Sequence, residues 1–305
     1  MSTRAMGPGA GWSWLARAVN LGRHNPRAVI GGIALVAALA LVPSILQMGA
    51  QSVLGPNPDV LLTVVALSTL LSLVLLPPAI GGALRVIDAA ERGRPAAPTD
   101  VFDAFRVGNG GGRLIGFGLL MTALYLLVFG TLVGTFGQGL PEWYAQLMQL
   151  TAEAGGRPVQ PADIPEPPAG LGMVVALGLA FGLFLGGAYA IGFGQVALGG
   201  RGVLEAVGDG LTGALKNLLP IAVLAILSVV AMFALLLVVG LVGGLLMLVG
   251  GLVHPVLGML LVAPIYLAMM LLMYVIMFGV MYHMWRDICG EPVVPPPLPG
   301  NQVEL

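Results

Sequence analysis

Long apolar runs alternate along the chain with short polar joints. About 20 apolar residues cross the roughly 30 Å hydrocarbon core of a bilayer as a helix. Runs of that length occur at 28–48, 60–84, 114–136, 171–196, 221–245 and 256–281. Between the last two, Gly243-Gly244, Gly250-Gly251 and His254-Pro255 make the stretch 239–256 read as re-entrant, interfacial or part of a span. The pattern predicts an all-α, polytopic membrane protein with about six transmembrane helices.

The polar joints carry a second pattern. Leu15-Ala16-Arg17-Ala18-Val19, Val101-Phe102-Asp103-Ala104-Phe105 and Val203-Leu204-Glu205-Ala206-Val207 each read apolar, any, charged, Ala, apolar, shortly before a span. The third extends into an amphipathic helix. Val203, Val207, Leu211 and Leu215 share one face, and Glu205, Asp209 and Lys216 another. The second opens on Pro98-Thr99-Asp100, a candidate helix cap. Unit ends echo as well, with Gly82-Ala83-Leu84-Arg85 through Gly93-Arg94-Pro95 spaced like Gly279-Val280-Met281-Tyr282 through Gly290-Glu291-Pro292. The reading is three parallel repeats, each an amphipathic helix followed by a transmembrane hairpin, at about 13–95, 99–200 and 201–288. Residues 1–12 form a flexible start, and 289–305 a Pro-rich cytoplasmic tail. Two spans per unit make the repeats parallel, related by an axis along the membrane normal. The three amphipathic segments would form a collar at the cytoplasmic interface.

Charge sets the orientation. Of 13 Lys and Arg residues, every one except Arg157 falls on the side of the N-terminus. Positive loops stay cytoplasmic, so both ends are expected in the cytoplasm of a bacterial inner membrane. Composition agrees with lipid burial: 58% of residues are hydrophobic and only 9% charged, against about 25% charged in soluble domains. A net charge of -1 offers no basic face for nucleic acid. In the long outer connection, Trp143 and Tyr144 suit an interfacial helix at headgroup level.

Candidate chemistry is sparse. Cys289 is the single cysteine, which excludes an intramolecular disulfide and multi-cysteine metal sites. His24, His254 and His283 are far apart in sequence. Spans lack central ionisable residues, which usually mark proton relays and ion paths. No catalytic, cofactor or metal residue is assigned, and the chain reads as a non-enzyme. Span six carries Met270, Met273, Met277, Met281 and Met284 at helical spacing, read as flexible filler rather than copper ligands. In span four, Gly178, Gly182, Gly186, Ala190 and Gly194 recur every four residues. Small residues at that spacing let helices approach closely in lipid, so the stripe is expected to be a helix contact.

Two longer patterns carry a resemblance. They are Arg23-His24-Asn25-Pro26 after an amphipathic helix, and Ala89-Ala90-Glu91-Arg92-Gly93-Arg94-Pro95 followed by Asp100-Val101-Phe102-Asp103-Ala104-Phe105. Over roughly residues 13 to 288, they resemble uncharacterised proteobacterial six-helix inner-membrane proteins. These are loosely similar to the YciC-like group and to the membrane domain attached to some glycerophosphodiester phosphodiesterases. The resemblance implies a six-helix inner-membrane protein and brings no ligand or catalytic residue. The expected function is a non-enzymatic bundle that packs with or supports another membrane component, be it a partner protein or a second copy. The alternative is a permease-like or lipid-handling conduit. A tight core without a polar cavity would fit the first, and a continuous polar or hydrated path across the spans the second.

Overall fold

A computed structural model describes residues 3–54, 58–155 and 159–290. The Pro-rich tail and the joint at 55–57 lie outside the described residues. Among those described, nine α-helices and two short 3-10 segments account for the secondary structure, without strands. The helices are α1 (Ala10–Val19), α2 (Pro26–Leu54), α3 (Pro58–Glu91), α4 (Gly111–Phe136), α5 (Leu140–Ala154), α6 (Leu171–Ala197), α7 (Val203–Lys216), α8 (Leu218–Val253) and α9 (Pro255–Ile288). The 3-10 segments are Pro98–Phe105 and Pro161–Asp163. Six helices, α2, α3, α4, α6, α8 and α9, are long and apolar enough to span a membrane. The chain is thus an all-α, multi-pass membrane protein by architecture.

The spans pair as hairpins α2/α3, α4/α6 and α8/α9, and element order repeats around a ring. The 3-10 segment Pro98–Phe105 packs on α2 and α3, α7 packs on α4 and α6, and α1 packs on α8 and α9. Each collar segment therefore caps the preceding hairpin, and the first segment in the chain caps the last hairpin. The first helix of each hairpin touches the second helix of the one before: α4 on α3, α8 on α6, α2 on α9. The second helices α3, α6 and α9 touch one another at the centre. The repeated alanines Ala18, Ala104 and Ala206 are all fully buried. Each sits in a collar segment that meets a glycine on its hairpin's inner helix. A Cβ at Gly82 would collide with the Val101 carbonyl. One at Gly192 would lie 2.7 Å from the Ala206 carbonyl, and one at Gly279 2.9 Å from Ala18 Cα.

Polar side chains tie the ring. Asn25 donates to the Ala96 carbonyl at 3.2 Å, Arg113 to the Gly200 carbonyl at 2.9 Å, and Asn217 to the Arg4 carbonyl at 2.9 Å. Each bond clasps the segment leading into the next collar element. The Arg4 guanidinium also donates to carbonyls at the end of α9, including Asp287 at 2.8 Å.

Packing is uneven along the membrane normal. The largest buried side chains, among them Trp14, Phe117, Phe193, Tyr282 and Ile288, gather at the collar end. Toward the other end the hairpins keep wide apolar faces exposed, as at Ile45, Val53, Leu126, Val229, Leu237 and Leu260. Exposure of such faces is costly in water but not against lipid tails, which are as apolar as leucine. The outer connection holds α5, which has no buried residue and whose Trp143 indole donates to the Pro165 carbonyl.

Several local expectations are corrected. The stretch 239–256 is not broken at its glycine pairs. The α8 helix runs on to Val253, and the chain reverses at His254, whose Nδ1 accepts the Val256 N–H. The second collar segment is a 3-10 helix, and its Asp100 carboxylate accepts the Ala97 N–H at 2.8 Å. The α7 helix packs on the bundle through a seam of small residues beside its apolar face. Ala206, Gly210, Gly213 and Ala214 are its buried residues, because small side chains let its backbone settle on α6. Val203, Val207 and Leu211 flank that seam half-buried, and Leu215 is 63% exposed. The opposite face is not free in water either. Asp209 accepts from Gln195 and pairs with Arg201, and Lys216 donates to Thr3.

Candidate functional site

The collar end is closed by buried polar contacts. Asp88, at 6% exposure, takes Arg92 at 2.8 Å, Arg94 at 2.6 Å and the Tyr282 hydroxyl at 3.2 Å. Asp287 takes the Trp14 indole N–H at 2.9 Å and an ion pair from Arg17. The Trp285 indole donates to Gln195, which in turn donates to Asp209. Buried carboxylates are tolerated because each is paired. His283 Nδ1 is the buried side-chain polar atom left without a partner among the described residues. No three His, Cys, Asp or Glu side chains come together there as a metal-binding group.

Beyond this seal, a cavity of about 760 Å³ opens between the second and third hairpins. Gly182, Gly186 and Ala190 of α6 form one wall, Ala225 and Ala231 of α8 a second, and the α9 methionines Met273, Met277, Met281 and Met284 a third. Leu15 of α1 and Ile80 of α3 reach its edge. Its lining contains no ionisable acid or base apart from the Tyr189 phenol, and its one other hydroxyl is that of Ser228. From Met273 to Met284 the cleft follows α9 for about 16 Å at 1.5 Å per residue. That is close to half of the roughly 30 Å hydrocarbon thickness.

The glycine stripe explains the space. A Cβ on Gly178 would meet α4 at 3.7 Å, on Gly182 at 3.9 Å and on Gly186 at 4.0 Å, all ordinary contacts. Gly182, Gly186 and Ala190 of α6 and Ala225 and Ala231 of α8 all line the cleft, and their small side chains leave it unfilled. The expectation of close helix contact along the whole stripe is corrected: it holds at Gly194, where a Cβ would strike the Trp285 side chain. The other tight glycines, Gly187 against Ile221 and Gly192 against Phe117, lie off the stripe. Met273, Met277, Met281 and Met284 line the open cleft rather than fill it. Sequence reading held both walls but not their juxtaposition, which depends on the third hairpin docking beside the second.

No family model, curated protein or solved structure matches the chain. Fold and cleft define the class without one: a multi-pass helical bundle of three capped hairpins, with a lateral apolar cleft.

Proposed function

We propose that the protein is a non-enzymatic membrane bundle that handles lipid, holding an acyl chain in the cleft between its second and third hairpins. The observation that carries this is the apolar, methionine-walled cavity of about 760 Å³, a size typical of small-ligand sites. Its length matches the chain region of a single leaflet. Methionine walls suit chains of varied length and unsaturation, because thioether side chains are flexible and polarisable. The cleft lacks the hydrated lining that an ion or sugar would need.

Orientation and compartment belong to the same proposal. The basic collar lies on the cytoplasmic side of a bacterial inner membrane, so the cleft faces the inner leaflet. The kinship with YciC-like proteins is likewise kept as a proposal, resting on the short motifs at 23–26 and 89–105.

The test uses a phospholipid bearing a photoreactive group on one acyl chain, incorporated with the purified protein into bilayers. Cross-links should concentrate on residues 224–232 and 273–284. Ala225→Phe and Gly186→Phe should fill the cleft and remove those adducts while leaving labelling of α2 unchanged. Uniform labelling of all outer helices, insensitive to both substitutions, would refute the assignment.

A further inference from the structure

A second cavity, of about 610 Å³, lies at the collar between the first and second hairpins. It shares no lining residue with the apolar cleft. Its walls come from the loop joining the 3-10 segment to α4, including Phe105, Arg106, Gly110 and Arg113. The Arg113 and Arg85 guanidinium groups converge beside it. They lie 3.2 and 3.5 Å from the point where a Gly110 Cβ would sit. Each spends one N–H on a carbonyl, Arg85 on Ala197 and Arg113 on Gly200. Neither forms an ion pair among the described residues, and the nearby Asp103 is paired with Arg106 at 3.3 Å.

The repeat shows what is missing. Three residues after Gly192, Gln195 donates to Asp209, which stands three residues after Ala206. Three residues after Gly82 stands Arg85, and three residues after Ala104 stands Val107. The first hairpin therefore carries a cation where the second carries an amide, and its collar offers an apolar side chain where the second offers a carboxylate. Val107 is fully exposed, and Phe102 and Phe105 are exposed beside it. Apolar side chains of that kind insert at the boundary between headgroups and acyl chains. Two adjacent guanidinium groups without an ion pair of their own among the described residues suit a phosphate, which accepts their forked N–H groups.

We infer that Arg85 and Arg113, with Arg106 at the rim, bind the phosphate of an anionic phospholipid headgroup, while Phe102, Phe105 and Val107 seat in the surrounding bilayer surface. The site stands independently of the acyl cleft, and either can fail alone.

The experiment is native mass spectrometry of the full chain with phosphatidylglycerol or phosphatidylcholine, alongside inorganic phosphate as competitor. The wild type should retain phosphatidylglycerol in preference to phosphatidylcholine. Arg106→Gln/Arg113→Gln should weaken that retention about tenfold or more, as expected for lost hydrogen bonds to a charged group. Arg23→Gln, in a different joint, should leave it unchanged. Arg85→Gln should match the double variant; should it fail to fold, through its lost bond to Ala197, the double variant decides alone. Equal retention by the double variant and wild type overturns the site. Displacement of the lipid by inorganic phosphate at comparable concentration overturns the lipid as its occupant.

Discussion

Glycine-to-alanine substitutions at two positions of α6 should have opposite effects on stability. At Gly192 the new methyl would lie 2.7 Å from the Ala206 carbonyl oxygen and 2.8 Å from the Phe117 ring. Neither neighbour can yield easily. The carbonyl belongs to the α7 backbone, and Phe117 is fully buried edge-on against Phe193 at a centroid distance of 5.6 Å. Overpacking of this kind costs about 1–3 kcal/mol. Alanine returns up to about 1 kcal/mol of helix propensity, so with the full return the net loss is up to about 2 kcal/mol. At Gly182 the nearest atom to a new methyl is Phe129 Cζ at 3.9 Å, so the propensity gain stands alone. In soluble domains of 150–250 residues, 1 kcal/mol shifts Tm by about 2–4 °C. Gly182→Ala should therefore melt at or slightly above the wild type, and Gly192→Ala several degrees below it. Thermal unfolding in one detergent, followed by intrinsic fluorescence, reads both. Equal melting of the two variants would refute the claim that the stripe borders open space while Gly192 is the close contact.

Trp14→Ala should destabilise by about 3–5 kcal/mol, as for other buried large aromatics, whereas Trp12→Ala, at an exposed position, should leave the melting temperature within a degree or two; thermal unfolding distinguishes them. Burial pushes the Cys289 thiol up to about 11, so a maleimide at pH 8 should label it slowly in the folded protein and rapidly after denaturation. The unfolded thiol ionises near its ordinary value of about 8.5. The contribution of the buried neutral thiol is complete below that pH and should fade as pH rises toward 11, which a Cys289→Ser comparison of melting temperatures would detect. Reporter fusions at Gly93 and Gly202 should read cytoplasm and at Gly155 periplasm; a periplasmic signal at Gly202 would break the hairpin count. In a Cys289→Ser background, spin labels at positions 204 and 215 should respond to oxygen dissolved in lipid and resist a water-soluble relaxation agent, since both leucines point away from the bundle.

The spans, hairpins and collar positions were legible because each depends on local periodicity and length. Ala18, Ala104 and Ala206 were readable as repeat markers for a physical reason: only a small side chain fits where a collar backbone presses on an inner helix. The seam of α7 on α6 was not legible, because hydrophobicity ranks leucine above glycine, while backbone proximity favours Gly210 and Gly213. In water the larger apolar residues would go inward; beside a bilayer Leu204 and Leu215 lose little by turning out. On α6, spacing identifies the small residues but not the neighbour each one meets: Gly178, Gly182 and Gly186 meet α4 side chains at ordinary distances, and Gly194 meets Trp285 of α9 closely. The arginine pair at Gly110 was invisible, since Arg85 and Arg113 belong to different hairpins.

Because α1 seats on α8 and α9, this helix is synthesised well before the surface that receives it. It must wait while two hairpins are inserted, its Trp14 side without the partner that later buries it. Final assembly is thus tied to completion of the third hairpin, and a chain cut short before α9 would carry an undocked amphipathic helix at its start.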